Sequence, residues 1–296
     1  MSNPYLPPEI LDHIIDVIHD TPETLKKCCL VSKSWVPRTR KRLFADIKIR
    51  SADDLKSWNE TFPDPSTSPA RHTKTLYVGC PHLVTPEHAE PGGWITSFSG
   101  VVHLEVADRE STIAEPTASL APFHGFSPVI KSLRVGFFII PSSRVFSLIV
   151  SFPLLEDLAV VAHRGSSVCD GDGSDELSAM VQPSNPPTFT GSLDLFMRQG
   201  MKSIIRRLLS LPSGVHFQKL TLWLFREEDL LLTTALVEGC SSALESLDII
   251  CDPRCTSSYV CVRTVAHFYF EAGRGRFPST SQKRQNSEMW SFVLYR

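Results

Sequence analysis

The sequence predicts an α/β chain in which a small helical unit leads into a stacked parallel sheet. Three observations carry this. Residues 1–44 read as short amphipathic helices punctuated by proline. Beyond them a six-residue pattern, apolar-x-x-apolar-x-apolar, returns along most of the 296-residue chain. Between its copies lie segments whose apolar residues fall at helical spacing.

The helical unit opens with "YLPPEILDHIIDVIHD". Leu6, Ile10, Leu11, Ile14, Ile15 and Ile18 share one helical face, and Glu9, Asp12, Asp16 and His19 the other. Pro7 and Pro8 suit a first turn, where a missing N–H leaves no bond unmade. A second start signal follows: Thr21 as cap, Pro22 at the first helical position, and Glu23 against the positive helix end. From there Leu25, Cys28, Cys29, Val31 and Trp35 line one face of a second helix. Pro37 breaks it or opens a third containing Arg38 to Leu43. Three helices this short bury little alone, so they need a partner or the following domain. The cations Arg38, Arg40, Lys41 and Arg42 read as a solvated helix end, with a phosphate or nucleic-acid patch as the alternative.

The six-residue pattern then recurs as "FADIKI", "TKTLYV", "VVHLEV", "IKSLRV", "LEDLAV", "TGSLDL", "FQKLTL" and "LESLDI". Its central residues are Ile47, Leu76, Leu104, Leu133, Leu158, Leu193, Leu220 and Leu247, and five of the seven intervals are 27–29 residues. The alternating end of each copy predicts a short strand with one face in the core. All eight strands are expected parallel in one sheet, because about 28 residues hold a strand, a helix and a return. Helices are predicted in "ADDLKSWNETF" after Ser51, "SSRVFSLIVSF", "LFMRQGMKSIIRRLLSL" and "REEDLLLTTALVEGC". Long loops are expected at 61–72, 81–95, 107–127 and 163–188, the last stretching one interval to 35. A further strand is due near residue 275, where "AGRGRFPSTSQKRQNSE" is polar and without period, so 257–296 reads as a divergent, poorly ordered tail.

"LPPEILDHIIDVI" followed by "LKKCCLVSKSWVPRTRKRLF" resembles an F-box, and "LVSKSW" resembles its fungal, basidiomycete-type form. Asp20-Thr21-Pro22 departs from the Leu-Pro many F-boxes carry before the second helix. Residues 45–256 resemble an irregular leucine-rich-repeat solenoid with a curved parallel sheet, although the asparagine or cysteine expected after each strand is mostly absent. The resemblance implies a substrate-recognition adaptor of a Skp1–cullin–F-box ubiquitin ligase. Leu6, Pro7, Ile10, Leu11, Ile14, Leu25, Val31 and Trp35 would then form or support the face that binds a Skp1-like adaptor and, through it, a cullin. The repeats would hold an unidentified client protein. The alternative is a non-degradative leucine-rich-repeat scaffold.

Composition and motifs argue against other classes. A net charge of −2 gives no global pull toward nucleic acid or anionic membrane. The opening "MSNPYLPPEI" has prolines and an acid where a signal peptide needs an apolar run, and no run of about 18 apolar residues suggests a span. A cytoplasmic or nuclear protein is therefore expected, with its eight cysteines reduced. Cys251, Cys255, Cys261 and His267 lack the second knuckle of a zinc site, so no metal or other cofactor is expected. "DGDGSDE" from Asp170 lacks the sixth-place glycine and twelfth-place acid of a calcium loop. There is no P-loop, dinucleotide fingerprint, HExxH or nucleophile elbow, "HGFSP" included, and no catalysis is expected.

Overall fold

The computed structural model describes residues 7–18, 21–79, 84, 93–107, 120–126, 129–137, 142–162, 187–196, 201–224, 230–251 and 265–269. Three helices come first: α1 (Pro8–Val17), α2 (Pro22–Val31) and α3 (Val36–Leu43). Pro8, Pro22 and Pro37 each sit in a first helical turn, where the absent N–H would have had no partner. Thr21 precedes α2 but its hydroxyl turns back to donate to the Ile18 carbonyl (2.9 Å) instead of capping.

Trp35 corrects the sequence reading. It does not extend the face of α2, which ends at Val31; it is the N-cap residue of α3. Its carbonyl accepts from both the backbone N–H (3.0 Å) and the hydroxyl (2.7 Å) of Thr39.

Eight parallel strands follow, paired in chain order: β1 (Asp46–Ile49), β2 (Thr75–Val78), β3 (His103–Ala107), β4 (Ser132–Phe137), β5 (Asp157–Ala162), β6 (Ser192–Phe196), β7 (Lys219–Leu224) and β8 (Ser246–Cys251). The cross-strand register aligns Ile47, Leu76, Leu104, Leu133, Leu158, Leu193, Leu220 and Leu247 in one row, the eight centres expected from the sequence. Leu76 through Leu247 in that row are buried, as are Val78, Val106, Val135, Val160, Leu195 and Leu222 two residues on. Period-two side-chain direction puts both rows on one face.

That face is closed by α4 (Ala52–Thr61), α5 (Ser142–Val150), α6 (Met201–Leu209) and α7 (Leu230–Cys240), within the four segments whose periodicity predicts helices. Ser51 caps α4 by accepting from the Asp54 N–H, while the Asp54 carboxylate reaches back to the Arg50 N–H. The β1–β2 connection also carries the 3₁₀ turn Pro69–His72, and the next two connections carry Trp94–Ser97 and Ala121–Phe126; the first and last fall within stretches the sequence reads as loops, while Trp94–Ser97 starts in one and runs past its end. Phenylalanines 98, 123, 152, 189 and 217 fill the space before successive strands and are completely buried.

A second regularity lies in the backbone. The carbonyl of Ala45 accepts from the N–H groups of both Lys74 and Thr75. Lys74, Val102, Lys131, Gly191 and Gln218 repeat this for the next repeat in turn. At the 35-residue interval the pattern adapts: the Glu156 carbonyl takes only Gly191, and the Asp157 carboxylate accepts from the Ser192 N–H (2.7 Å) and hydroxyl (2.6 Å). Gly191 is needed there, since a Cβ would lie 2.5 Å from Asp157 Oδ1.

After β8 the arrangement changes. β9 (Val265–Tyr269) pairs antiparallel with β8, ahead of the position near 275 that the repeat spacing predicts and opposite in direction. Part of 257–296 thus continues the sheet; 252–264 and 270–296 lie outside the described residues, as does the 163–186 segment with "DGDGSDE".

Candidate functional site

Two surfaces present chemistry. The first is the helical unit. Among its described residues Ile15, Leu25, Cys28 and Thr39 are buried. Around them α1 shows Ile10, Ile14 and Val17 (47%, 37% and 66% exposed), spaced along one side of the helix, and the end of α2 shows Leu30 (87%) and Val31 (68%). Full burial of each such side chain is worth about 1.5–3 kcal/mol, so among the described residues this unit carries an unusually apolar exposed surface for its size.

The predicted site residues divide accordingly. Pro7, Ile10, Ile14 and Val31 are exposed, while Leu11 and Trp35 are half-buried. Leu25 is buried within the unit (1% exposed) and can only support the face from beneath. Leu6 lies outside the described residues. The structure adds Val17, which the pattern did not single out although it continues the apolar face of α1, and it shows Leu30 of the "LVSKSW" stretch exposed beside Val31.

An ion-pair clamp holds the unit together. Asp16 of α1 accepts from Arg38 Nη2 (2.6 Å) and Nε (3.2 Å), and from Arg42 Nε at 2.9 Å. The hydrogen bonds from Arg38 and then Arg42 hold the Asp16 carboxyl down at about 2. Two of the four cations expected to be a solvated helix end therefore tie α3 to α1 instead. Arg38 and Arg42 stand four apart and present both guanidinium forks to one carboxylate. The unit meets the sheet through Phe44, whose ring packs edge-on against Trp58 and Phe62 of the first repeat, with Trp58 in turn 5.3 Å from Phe98.

The second surface is the sheet face turned away from α4–α7. Its middle row runs Lys48, Tyr77, Glu105, Arg134, Ala159, Asp194, Thr221, Asp248. Asp194 stands out: its Oδ1 is buried without a hydrogen-bond partner, and burial pushes its carboxyl above the usual range, with Arg134 and Lys219 partly opposing. Two residues further along the strands, Phe196 and Trp223 stack edge to face at 4.6 Å.

Among the described residues no group of three His, Cys, Asp or Glu side chains is disposed to hold a metal ion, and no helix is long and apolar enough to cross a membrane. Cys255 and Cys261 lie outside the described residues. Cys28, Cys29 and Cys240 are free thiols, and burial raises Cys240 to about 11. Compared with known protein families, with curated proteins and with solved structures, the chain matches none.

Proposed function

We propose that the protein is a non-catalytic adaptor: an F-box that binds a Skp1-like protein through α1 and α2, joined to an irregular leucine-rich-repeat solenoid that holds a client for a Skp1–cullin–F-box ubiquitin ligase. The observation that carries this reading is the set of five large apolar side chains exposed on a helical unit that is itself clamped and anchored. A partner groove that receives α1 would take Ile10, Ile14 and Val17 as its anchors. Client binding would raise the local concentration of its lysines near the charged enzyme without any chemistry by this chain. The open sheet face, with Asp194 and the Phe196–Trp223 pair, is the surface offered to that client.

The test is co-purification with Skp1. Ile14→Glu and Leu30→Asp alter exposed side chains and leave folding within about 0.5 kcal/mol of wild type. Each should reduce Skp1 recovery at least about tenfold, because a charge is then buried in an apolar contact. Equal recovery from wild type and both variants would sink the docking assignment. If Skp1 binds yet client ubiquitination is unaltered by deletion of residues 1–44, the scaffold reading wins instead.

A further inference from the structure

Two of the four cations in "RTRKR", Arg38 and Arg42, are paired with Asp16, and Arg38 also lines the cleft that Arg40 and Lys41 reach. Arg40 and Lys41 of α3 line a cleft of about 560 Å³ whose opposite wall is the Pro69–His72 turn, bringing Arg71 and His72. Asp12 is the one acidic residue in the lining, and it lies 3.8 Å from Arg38. Arg40, Lys41 and Arg71 have no carboxylate partner among the described residues.

The two walls are fixed to one another. Thr73, buried, donates its hydroxyl to the Phe44 carbonyl at the end of α3 (2.9 Å), and the Lys74 N–H donates to Ala45 (2.7 Å). From the other side, Gly100 ahead of β3 lets the chain pass close beneath the turn, since a Cβ there would lie 2.5 Å from the Arg71 carbonyl. Like charges held together by rigid backbone repel, and the convergence registers on His72. Burial and then Arg71, Lys41, Arg40 and Lys74 hold its imidazolium form down.

We propose that this cleft is an anion site that takes a phosphoryl group between Arg40 and Lys41 on one side and Arg71 on the other. The chemistry favours phosphate over a single carboxylate. A phosphoryl group brings about 1.5–2 negative charges at neutral pH and three acceptor oxygens, which two guanidinium forks and an ammonium can share. The shape favours it over a nucleic-acid strand, which needs a basic stripe along a face, and over a membrane, which needs cations on a protruding surface. A cleft of this volume is the size of a small-molecule site. The proposal does not depend on the adaptor reading.

The experiment uses the full chain with labelled histidines, titrated separately with inorganic pyrophosphate and with a phosphoserine peptide beside its unphosphorylated form. The expected result is saturable binding that moves the His72 titration midpoint upward, since the anion offsets the surrounding cations. The Arg40→Ala/Lys41→Ala pair and Arg71→Ala should each weaken binding at least about tenfold. Arg71→Lys should retain part of it, while Arg206→Ala, the same charge removed from α6, should change nothing. Tighter binding of the peptide than of pyrophosphate makes the source a modified protein; the reverse makes it a free phosphate compound. An unmoved His72 midpoint, or equal losses from Arg206→Ala and Arg71→Ala, overturns the site. So does tighter use of these residues by an oligonucleotide or by phosphatidylserine vesicles.

Discussion

The helical unit and the repeat sheet solve the burial problem in opposite ways. From β1 to β8 every central side chain of the register row is packed against its neighbours, and one continuous core runs from Ile49 to Leu247. Among the described residues, the helical unit buries four side chains and leaves five large apolar ones exposed, with the Asp16 clamp and the Phe44 ring cluster helping to hold its shape. The sheet is stable by what it encloses. The helices are held by polar bonds so that their apolar groups stay available.

The contrast can be broken most forcefully in the sheet. Leu193→Ala should cost about 2–5 kcal/mol in urea unfolding, whereas Ile14→Ala should change stability by no more than about 0.5 kcal/mol. Comparable losses from both would erase the distinction between the two regions. Next in size is Gly191→Ala, which puts a methyl group against Asp157 where the backbone ladder crosses its longest interval. A loss of about 1–3 kcal/mol is expected, and the hydrogen-exchange protection of β6 should fall first.

Asp16→Ala should instead loosen only the helical unit. Amide exchange in α1 should quicken while the β3–β7 strands keep their protection. Acid should reproduce the effect. The Asp16 carboxyl is held down at about 2, so its contribution is complete above the ordinary carboxylate value of 3.8 and is lost as pH falls toward 2. Asp194 has the reverse sign: its raised value means a contribution lost as pH rises through it, and Asp194→Asn should remove that part of the pH dependence. The smallest effect is chemical. Cys29, partly exposed, should react with a thiol reagent at neutral pH well before Cys240, buried and raised to about 11. Equal rates would mean that the repeat core opens as readily as the helices.

The repeat region was legible because one set of residues carries two messages. Leu76 to Leu247 mark the strand faces and also the cross-strand register, so the periodicity located both. The helices α4, α5, α6 and α7 showed through their own spacing and, for α4, through Ser51. What escaped depends on pairing across distance. Arg38 and Arg42 reach a carboxylate 22 and 26 positions back, and Arg71 meets Arg40 and Lys41 only because the first repeat folds onto α3. Trp35 escaped differently: its helical spacing from Leu25 and Cys28 fits α2, yet the chain turns at Ser32. β9, Val-Ala-His-Phe-Tyr, carries neither the repeat pattern nor its spacing, and an edge strand needs only an open neighbour.

The carbonyls of Ala45, Lys74, Val102, Lys131, Gly191 and Gln218 have one more implication. Each fixes where the next repeat begins across intervals of 25 to 29 residues, and the 35-residue interval is held instead by the Glu156 carbonyl and the Asp157 carboxylate. Lengthening or rewriting one connection leaves its neighbours seated. A lineage of such chains is free to vary its loops independently, and would diverge in sequence far faster than in architecture.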